Sequence, residues 1–470
     1  MNRLTLSLLE EHRATLRRSL FRDDREYGAL LLCGRSRHLD PWSHEVEERF
    51  LVREVIEVEE EHFLERTRTS MMWSTTPFFN ALKRAEAKGM AVAVIHSHPD
   101  GPLEFSPRDD IADEDLFTIA FNRLDSDRPH LSLIMDGRGD LVARVYGPDL
   151  KPQPVSMIRI VGDRWAFRYP SRGRGEVIEE LDRQVRAFGA ASTRDLAQLR
   201  VGIVGCGGTG SAVAAMLARI GVRRLAVFDA DHVDSTTLNR MHFSTRADAN
   251  LSRPKVDVIA EAIASIGLPI SIVRYPYFIS DERCRDALCS CDVVFGCTDD
   301  HLGRNLLNHF AHFYFVPIID LGVLIEPKEL GDGYDVFDGR VTVIQPGYPC
   351  QICRGLIDPE EMTAEGLRRN DPVLYRQRRQ AGYVRGAPDP SPVVVTFTTE
   401  VAAMAVNELF QRLNEFRGAV GHCSEHIRRL DEVKDADTVP GGDSKSGCDL
   451  CYERKYDGRG DVEPFLNLTP

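Results

Sequence analysis

The sequence predicts an α/β protein made of a small α/β unit followed by a larger, mostly parallel α/β unit. Three observations carry this. Apolar runs at 26–34, 91–95, 131–135 and 141–146 are bounded by turn residues. The run 200–205 (RVGIVG) ends in glycines, precedes helical spacing at 211–220 and is followed by a second run, 224–229, ending in Asp229: a strand, helix, strand unit of a parallel sheet. At 470 residues the chain is long enough for two or three cores.

Element by element, Asp136-Gly137 predicts a hairpin that closes the first unit, so residues 1–150 are expected to form one domain. Pro152, Pro154, Pro170, Gly173 and Gly175 among scattered arginines predict a linker over 151–176, before helical spacing resumes at 177–188. The second domain is expected over 177–470, with further strands at 292–297 and 316–320. A polar, proline-broken crossing loop follows at 357–392, then a helix at 396–414 and a flexible loop at 433–447.

With 59 basic and 72 acidic residues the formal charge is −13. That balance disfavours a phosphate backbone as the main partner, so no nucleic acid is expected. The first twenty residues carry Glu10, Glu11, Arg13, Arg17 and Arg18, unlike a signal peptide, and no run approaches a membrane span. A cytoplasmic location without membrane association is the expectation. Four of the 11 cysteines form two Cys-x-x-Cys pairs, which points to metal rather than to a disulfide framework.

The first chemistry-bearing motif is His96-Ser97-His98-Pro99 with Ser106 and Asp109. Two histidines one residue apart project to one side of a strand end, and an Asp eleven residues later can return on a helix as a third ligand. One coordination position is then left for water, as catalytic zinc requires. An isolated His-x-His is more often a surface or capping pair; here Pro, Ser and Asp stand in register. The pattern resembles the JAMM, or MPN-type, metalloprotease family. The resemblance implies His96, His98 and Asp109 as zinc ligands, Glu26 as the base that accepts the proton of the bound water, and Ser106 as an oxyanion stabiliser. Ala29 stands where the family commonly has Gly.

The second motif is Gly205-Cys206-Gly207-Gly208-Thr209-Gly210, whose glycines let backbone N–H groups approach phosphates at a helix start. Asp229 would then hold a ribose, which fits an NAD enzyme equally well. Beyond it stand Asp231, Leu238-Asn239-Arg240, Pro254-Lys255 and Thr298-Asp299. The whole set resembles the ThiF-type and ubiquitin-activating enzymes over about 180–470, and so implies a Rossmann-like domain. By that resemblance Asp231, Asn239 and Arg240 contact ribose and phosphates, Lys255 grips phosphate and Asp299 positions magnesium on ATP. A carboxylate attacking the α-phosphate meets anion repulsion, which Arg240, Lys255 and magnesium would offset. Arg183, in Asp182-Arg183-Gln184, resembles an element that reaches the ATP of a dimer partner, implying a homodimer; as a bare sequence feature it reads equally well as a solvated helix charge. Cys350, Cys353, Cys448 and Cys451 supply four thiolates for a tetrahedral structural zinc, with buried thiols or a redox pair as alternatives.

Together these resemblances imply a bifunctional enzyme of a bacterial ubiquitin-like system, in a setting such as defence, with a conjugating enzyme as a further partner. Its zinc isopeptidase would process or release a ubiquitin-like protein whose C-terminal Gly the second domain adenylates. Two alternatives stay open: activation and release of a sulfur-carrier protein in cofactor or cysteine synthesis, and a non-catalytic scaffold. Residues 354–422 contain no cysteine, and Cys423 is the nearest thiol, so a thioester step is in doubt.

Overall fold

The computed structural model describes residues 3–123, 126–169, 178–327, 333–380, 392–418, 422–432, 435–436 and 444–468. Two large sheets organise it. The first has nine strands in the order Ala166–Arg168, Met157–Val161, Arg3–Leu9, Val46–Glu57, Gly28–Leu39, Ala91–His98, His130–Asp136, Leu141–Tyr146 and Pro152–Pro154. Ala91–His98 lies antiparallel to Gly28–Leu39 and parallel to His130–Asp136. That register sets Gly28 opposite His96, which brings the approach to Glu26 beside the histidine pair.

The second sheet has eight strands in the order Ser271–Tyr275, Arg224–Phe228, Arg200–Val204, Val293–Gly296, Ile318–Pro327, Tyr334–Ile344, Glu425–Arg429 and Asp435–Ala436. The first five are mutually parallel and the rest antiparallel. The inner parallel strands Arg200–Val204, Arg224–Phe228 and Val293–Gly296 are mostly apolar and buried, as a sheet covered on both faces requires, while the edge strand Ser271–Tyr275 is partly exposed. Helices Gly208–Arg219 and Val395–Asn414 pack together, and an added Cβ at Gly208 would come within 3.1 Å of Thr398.

Residues 151–176 depart from the expected linker. They supply three strands of the first sheet as far as Arg168, and 170–176 lie outside the described residues. The cause is the apolar run Met157, Ile158, Ile160 and Val161, all buried, which pairs in parallel with Arg3–Leu9 despite the flanking prolines. Arg3–Leu9 is itself a strand, followed by helix Glu10–Leu20, so the first twenty residues hold two elements. The crossing segment expected as a loop contains helices Pro359–Asn370 and Pro372–Gln380, with 381–391 outside the described residues. Asp358 caps the first of these by accepting from Glu360 N at 2.8 Å, with Pro359 at its first position. Of the expected loop 433–447, residues 433–434 and 437–443 lie outside the described residues, and Asp435–Ala436 pairs at the sheet edge.

The two sheets share one core. Leu9, Leu51, Met157 and Phe167 from the first, with Trp165 beside them, pack in the same buried cluster as Val201 and Val293 from the second and Leu196 of helix Asp182–Gln198. Burying a side chain of this size is worth roughly 1.5–3 kcal/mol, so each half stabilises the other. A fully buried ionic cluster also crosses the junction. Arg200 donates to Glu47 Oε2 at 2.6 Å and to Asp292 Oδ1 at 3.0 Å, and Arg159 donates to Asp292 Oδ1 at 2.5 Å. The C-terminal segment straps the outside: Gly460 N donates to Phe313 O and Asp461 N to Arg35 O, each at 2.9 Å.

Candidate functional site

His96 and His98 stand on the last residues of strand Ala91–His98, one on either side of buried Ser97. Asp109 enters from helix Pro107–Arg123. The helix start is a reciprocal cap in which Ser106 N donates to Asp109 Oδ2 at 2.6 Å and Asp109 N to Ser106 Oγ at 3.3 Å. Ser106 therefore also fixes the orientation of Asp109. The three groups converge: His96 Nε2 lies 3.1 Å from His98 Nε2 and 3.2 Å from Asp109 Oδ1. His98 Nδ1 donates to Pro102 O at 2.8 Å, which leaves Nε2 as its ligand atom. Three potential donors within 4.8 Å of one another, of nitrogen and oxygen type, fit a zinc-sized divalent cation with an open position. Burial works against the charge of Asp109, but its hydrogen bonds to His96 and Ser106 hold the carboxyl well below the usual range.

Glu26 is buried, and its backbone N donates to Thr67 O at 2.8 Å. Burial pushes its carboxyl up to about 7; His96 opposes the rise and Asp109 adds to it. A group poised there can take a proton from water near neutral pH. Helix Pro107–Arg123 is fastened to the sheet by Asp113, which accepts from Arg144 Nη2 at 2.6 Å and Tyr146 Oη at 3.2 Å.

On the second sheet the glycine loop joins strand Arg200–Val204 to helix Gly208–Arg219. Gly205 has φ +91, and a Cβ there would lie 2.6 Å from Cys297 O; one at Gly210 would lie 1.8 Å from Gly205 O. Both positions require glycine. Gly207 meets nothing within 4 Å, so the loop keeps open space at the helix start. Asp229 ties the loop to its own strand end: Oδ2 accepts from Cys206 N at 2.6 Å and Oδ1 from Asp231 N at 2.8 Å. Burial raises its pKa against the pull of Lys255. Asp231 is exposed and accepts from Lys255 Nζ at 2.8 Å. Burial works against the ammonium of Lys255, and Asp229 and Asp231 together raise it.

Asn239 is exposed, and Arg240 donates to Asn239 Oδ1 at 3.4 Å. Asp299 follows strand Val293–Gly296, is exposed, and makes no hydrogen bond or ion pair among the described residues. Next to it, Glu365 of helix Pro359–Asn370 accepts from His301 N at 3.2 Å and Leu302 N at 3.0 Å, covering the start of helix His301–Tyr314. Arg183 is exposed near the start of helix Asp182–Gln198, with no ion pair among the described residues. Cys350, Cys353, Cys448 and Cys451 converge, with Cys350 Sγ 3.8 Å from Cys448 Sγ and Cys353 Sγ 3.5 Å from Cys451 Sγ. Four sulfurs so placed fit a tetrahedral metal, with thiolate chemistry that suits zinc. Sequence reasoning missed Glu365, whose helix falls in the polar segment expected as a loop.

The ThiF family matches residues 181–439, and the chain belongs to that family. Residues 6–144 match the prokaryotic homologs of the JAB domain. The chain is 31% identical over 171 residues to the molybdopterin-synthase adenylyltransferase of Escherichia coli, covering 36% of this chain and 64% of that protein. It is 27% identical over 154 residues to the SAMP-activating enzyme E1 of Haloferax volcanii, covering 33% and 52%. The chain thus spans less than two thirds of each relative. A crystal structure of E. coli MccB with ATP is 16% identical with a TM-score of 0.44, covering 58% of this chain and 75% of that one.

Proposed function

We propose that the chain is a bifunctional enzyme: a ThiF-type adenylyltransferase for the C-terminal carboxylate of a ubiquitin-like or sulfur-carrier protein, joined to a JAB-type zinc isopeptidase. The observation that carries the reading is the presence in one chain of two preorganised sites, the His96, His98, Asp109 triad beside Glu26 and the Gly205–Gly210 loop with Lys255. Adenylation of the carrier is supported by family membership and by relatives named as a molybdopterin-synthase adenylyltransferase and a SAMP-activating enzyme.

In the second site the open helix start at Gly207 would receive phosphates, while Lys255 and Arg240 neutralise charge developing at the α-phosphate. Asp299 would hold magnesium, and Asp231 and Asn239 the ribose. Asp229 holds the loop. Arg183 would reach the nucleotide of a second copy in a homodimer. Because residues 354–422 carry no cysteine, the acyl adenylate would be attacked directly by the sulfur or amine of a second protein, such as a conjugating enzyme.

In the first site zinc would supply a Lewis acid and lower the pKa of its bound water. Glu26 would take that water's proton and return it to the leaving amine, and Ser106 would donate to the oxyanion. The four cysteines would hold a second, structural zinc. The test is cleavage of a ubiquitin-fold fusion after its C-terminal Gly by the full chain. Loss with chelator and recovery with zinc are expected; cleavage indifferent to chelator refutes the peptidase half.

A further inference from the structure

The helix that supplies Asp109 carries two further carboxylates on its first turns, Asp110 and Asp113, and both meet one guanidinium. Arg144 stands on strand Leu141–Tyr146 and is 7% exposed. Its Nε and Nη2 donate to Asp113 Oδ2 at 3.0 and 2.6 Å, and its Nη1 donates to Asp110 Oδ1. The guanidinium carbon also lies 3.7 Å from the centre of the Phe105 ring, on the loop that enters the helix. These contacts bracket the metal site. Phe105 precedes Ser106, while Asp110 and Asp113 follow Asp109, so Arg144 grips the chain on both sides of the reciprocal cap between Ser106 and Asp109. Asp113 is one helical turn beyond Asp109, which puts both carboxylates on one side of the helix, one toward the histidines and the other toward Arg144.

The loop that ends at Phe105 serves a second ligand. Its Pro102 O accepts from His98 Nδ1, and a Cβ added at Gly101 would lie 3.3 Å from His98 Cβ. Arg144 therefore stands behind Asp109 and His98, although it hydrogen-bonds to neither among the described residues. It also belongs to the sheet that bears the histidines: Arg144 pairs in register with Ser132, and Ser132 with Val94, two residues before His96. Stability alone does not call for an ion pair here. Burial raises the Asp113 pKa against the pull of Arg144, and a buried pair is commonly no more stabilising than packed apolar residues of the same volume. What arginine adds is direction, because a rigid planar fork fixes the carboxylates that it meets.

We infer that Arg144 is a positioning residue of the first site: through Asp110, Asp113 and Phe105 it holds Asp109, and the loop that orients His98, at the geometry a zinc ion requires. This rests on the reading of His96, His98 and Asp109 as zinc ligands proposed above, and it does not depend on what the site cleaves.

The test is metal binding by the full chain, read apart from cleavage. Zinc retained is counted against a graded series of chelator. Cobalt(II) is then added to the emptied site, where histidine and carboxylate ligands give a visible d–d band without the thiolate charge-transfer band of a four-cysteine site. Arg144→Gln should weaken zinc at this site by about ten- to a hundredfold, the range for partners that orient metal ligands. It should also shift the cobalt band, leave the metal at the four cysteines unchanged, and lower kcat at saturating zinc with KM unaltered. Arg144→Lys, which keeps the charge and loses the fork, should recover part of the affinity, and Asp113→Asn should reproduce the loss by removing the other partner. Phe117→Leu is the structural control: it loosens the buried packing of the same helix and leaves the ion pairs, so it should lower the melting temperature and keep the zinc affinity. Unchanged affinity in Arg144→Gln and Asp113→Asn, an equal loss in Phe117→Leu, or no zinc at this site in the wild-type chain overturns the inference. Zinc affinity that depends on Arg144 in a chain that cleaves no ubiquitin-fold fusion upholds it and refutes the peptidase reading instead.

Discussion

Replacing Arg200 with Met puts the junction of the two halves to the test. Arg200 is 0% exposed and donates to Glu47, Asp292 and Asp40, the last at 3.2 Å. Burial works to raise the Glu47 pKa, and Arg200, Arg49 and Arg3 overcome it and leave it well below the ordinary value. Met nearly fills the side-chain volume, so the loss is chiefly electrostatic: two buried carboxylates lose their main counter-charge, with Arg49 and Arg159 still present. Breaking a buried ion pair by removing one partner costs about 3–5 kcal/mol, far above the ~0–1 kcal/mol of an exposed pair. The assay is chemical denaturation of the full chain at neutral pH. The sign with pH follows from the depressed carboxylate: its contribution is complete above the unfolded value of about 4 and fades as pH falls toward the folded one, so the difference between variant and wild type should narrow in acid. A neutral-pH loss below ~1 kcal/mol, or a difference that widens in acid, would refute the cluster as a fastening.

Glu26→Gln in the full chain should retain zinc at the triad but lower cleavage by ~10²–10⁴-fold, measured as turnover on a ubiquitin-fold fusion; full activity excludes Glu26 as the base. Cys448→Ser should lower bound zinc by one equivalent and expose the strap from Arg454 onward to protease, since Arg454 donates to Glu11 Oε2 at 2.9 Å and Gly458 N to His312 O at 2.9 Å. Unchanged zinc content and protection would remove the structural-metal reading. Incubation with Mg-ATP and carrier should give AMP-linked carrier and no reductant-sensitive enzyme adduct. An adduct lost in Cys423→Ala would place the nucleophile outside the crossing segment.

Much of the candidate chemistry was legible because it rests on short-range spacing. His96, His98 and Asp109 meet because a strand end and a capped helix start are fixed by local sequence, and Ser106-Pro107 announces the cap. Gly205 and Gly210 are read from the loop because close backbone approach admits no Cβ. Asp229 was expected at the strand end from spacing alone; that its carboxylate also accepts from Cys206 N of the loop and from Asp231 N is revealed only by the folded turn. The strand Arg3–Leu9 was readable from the alternation Leu4, Leu6, Leu8, but the opening of the chain was weighed only against a signal peptide, on the charged residues just beyond that strand. Met157–Val161 was hidden by its prolines. The ionic cluster of Arg200, Glu47 and Asp292 joins residues far apart in sequence, and nothing local marks them as partners.

The most direct test of the account is exchange of pyrophosphate into ATP by the full chain, with magnesium and a ubiquitin-fold protein ending in a free Gly-Gly. The account predicts exchange that requires that free C-terminus and is abolished by Asp299→Ala, while zinc-dependent cleavage of the fusion persists in the same variant. Exchange that survives Asp299→Ala, or a chain that binds NAD in place of Mg-ATP, would contradict it.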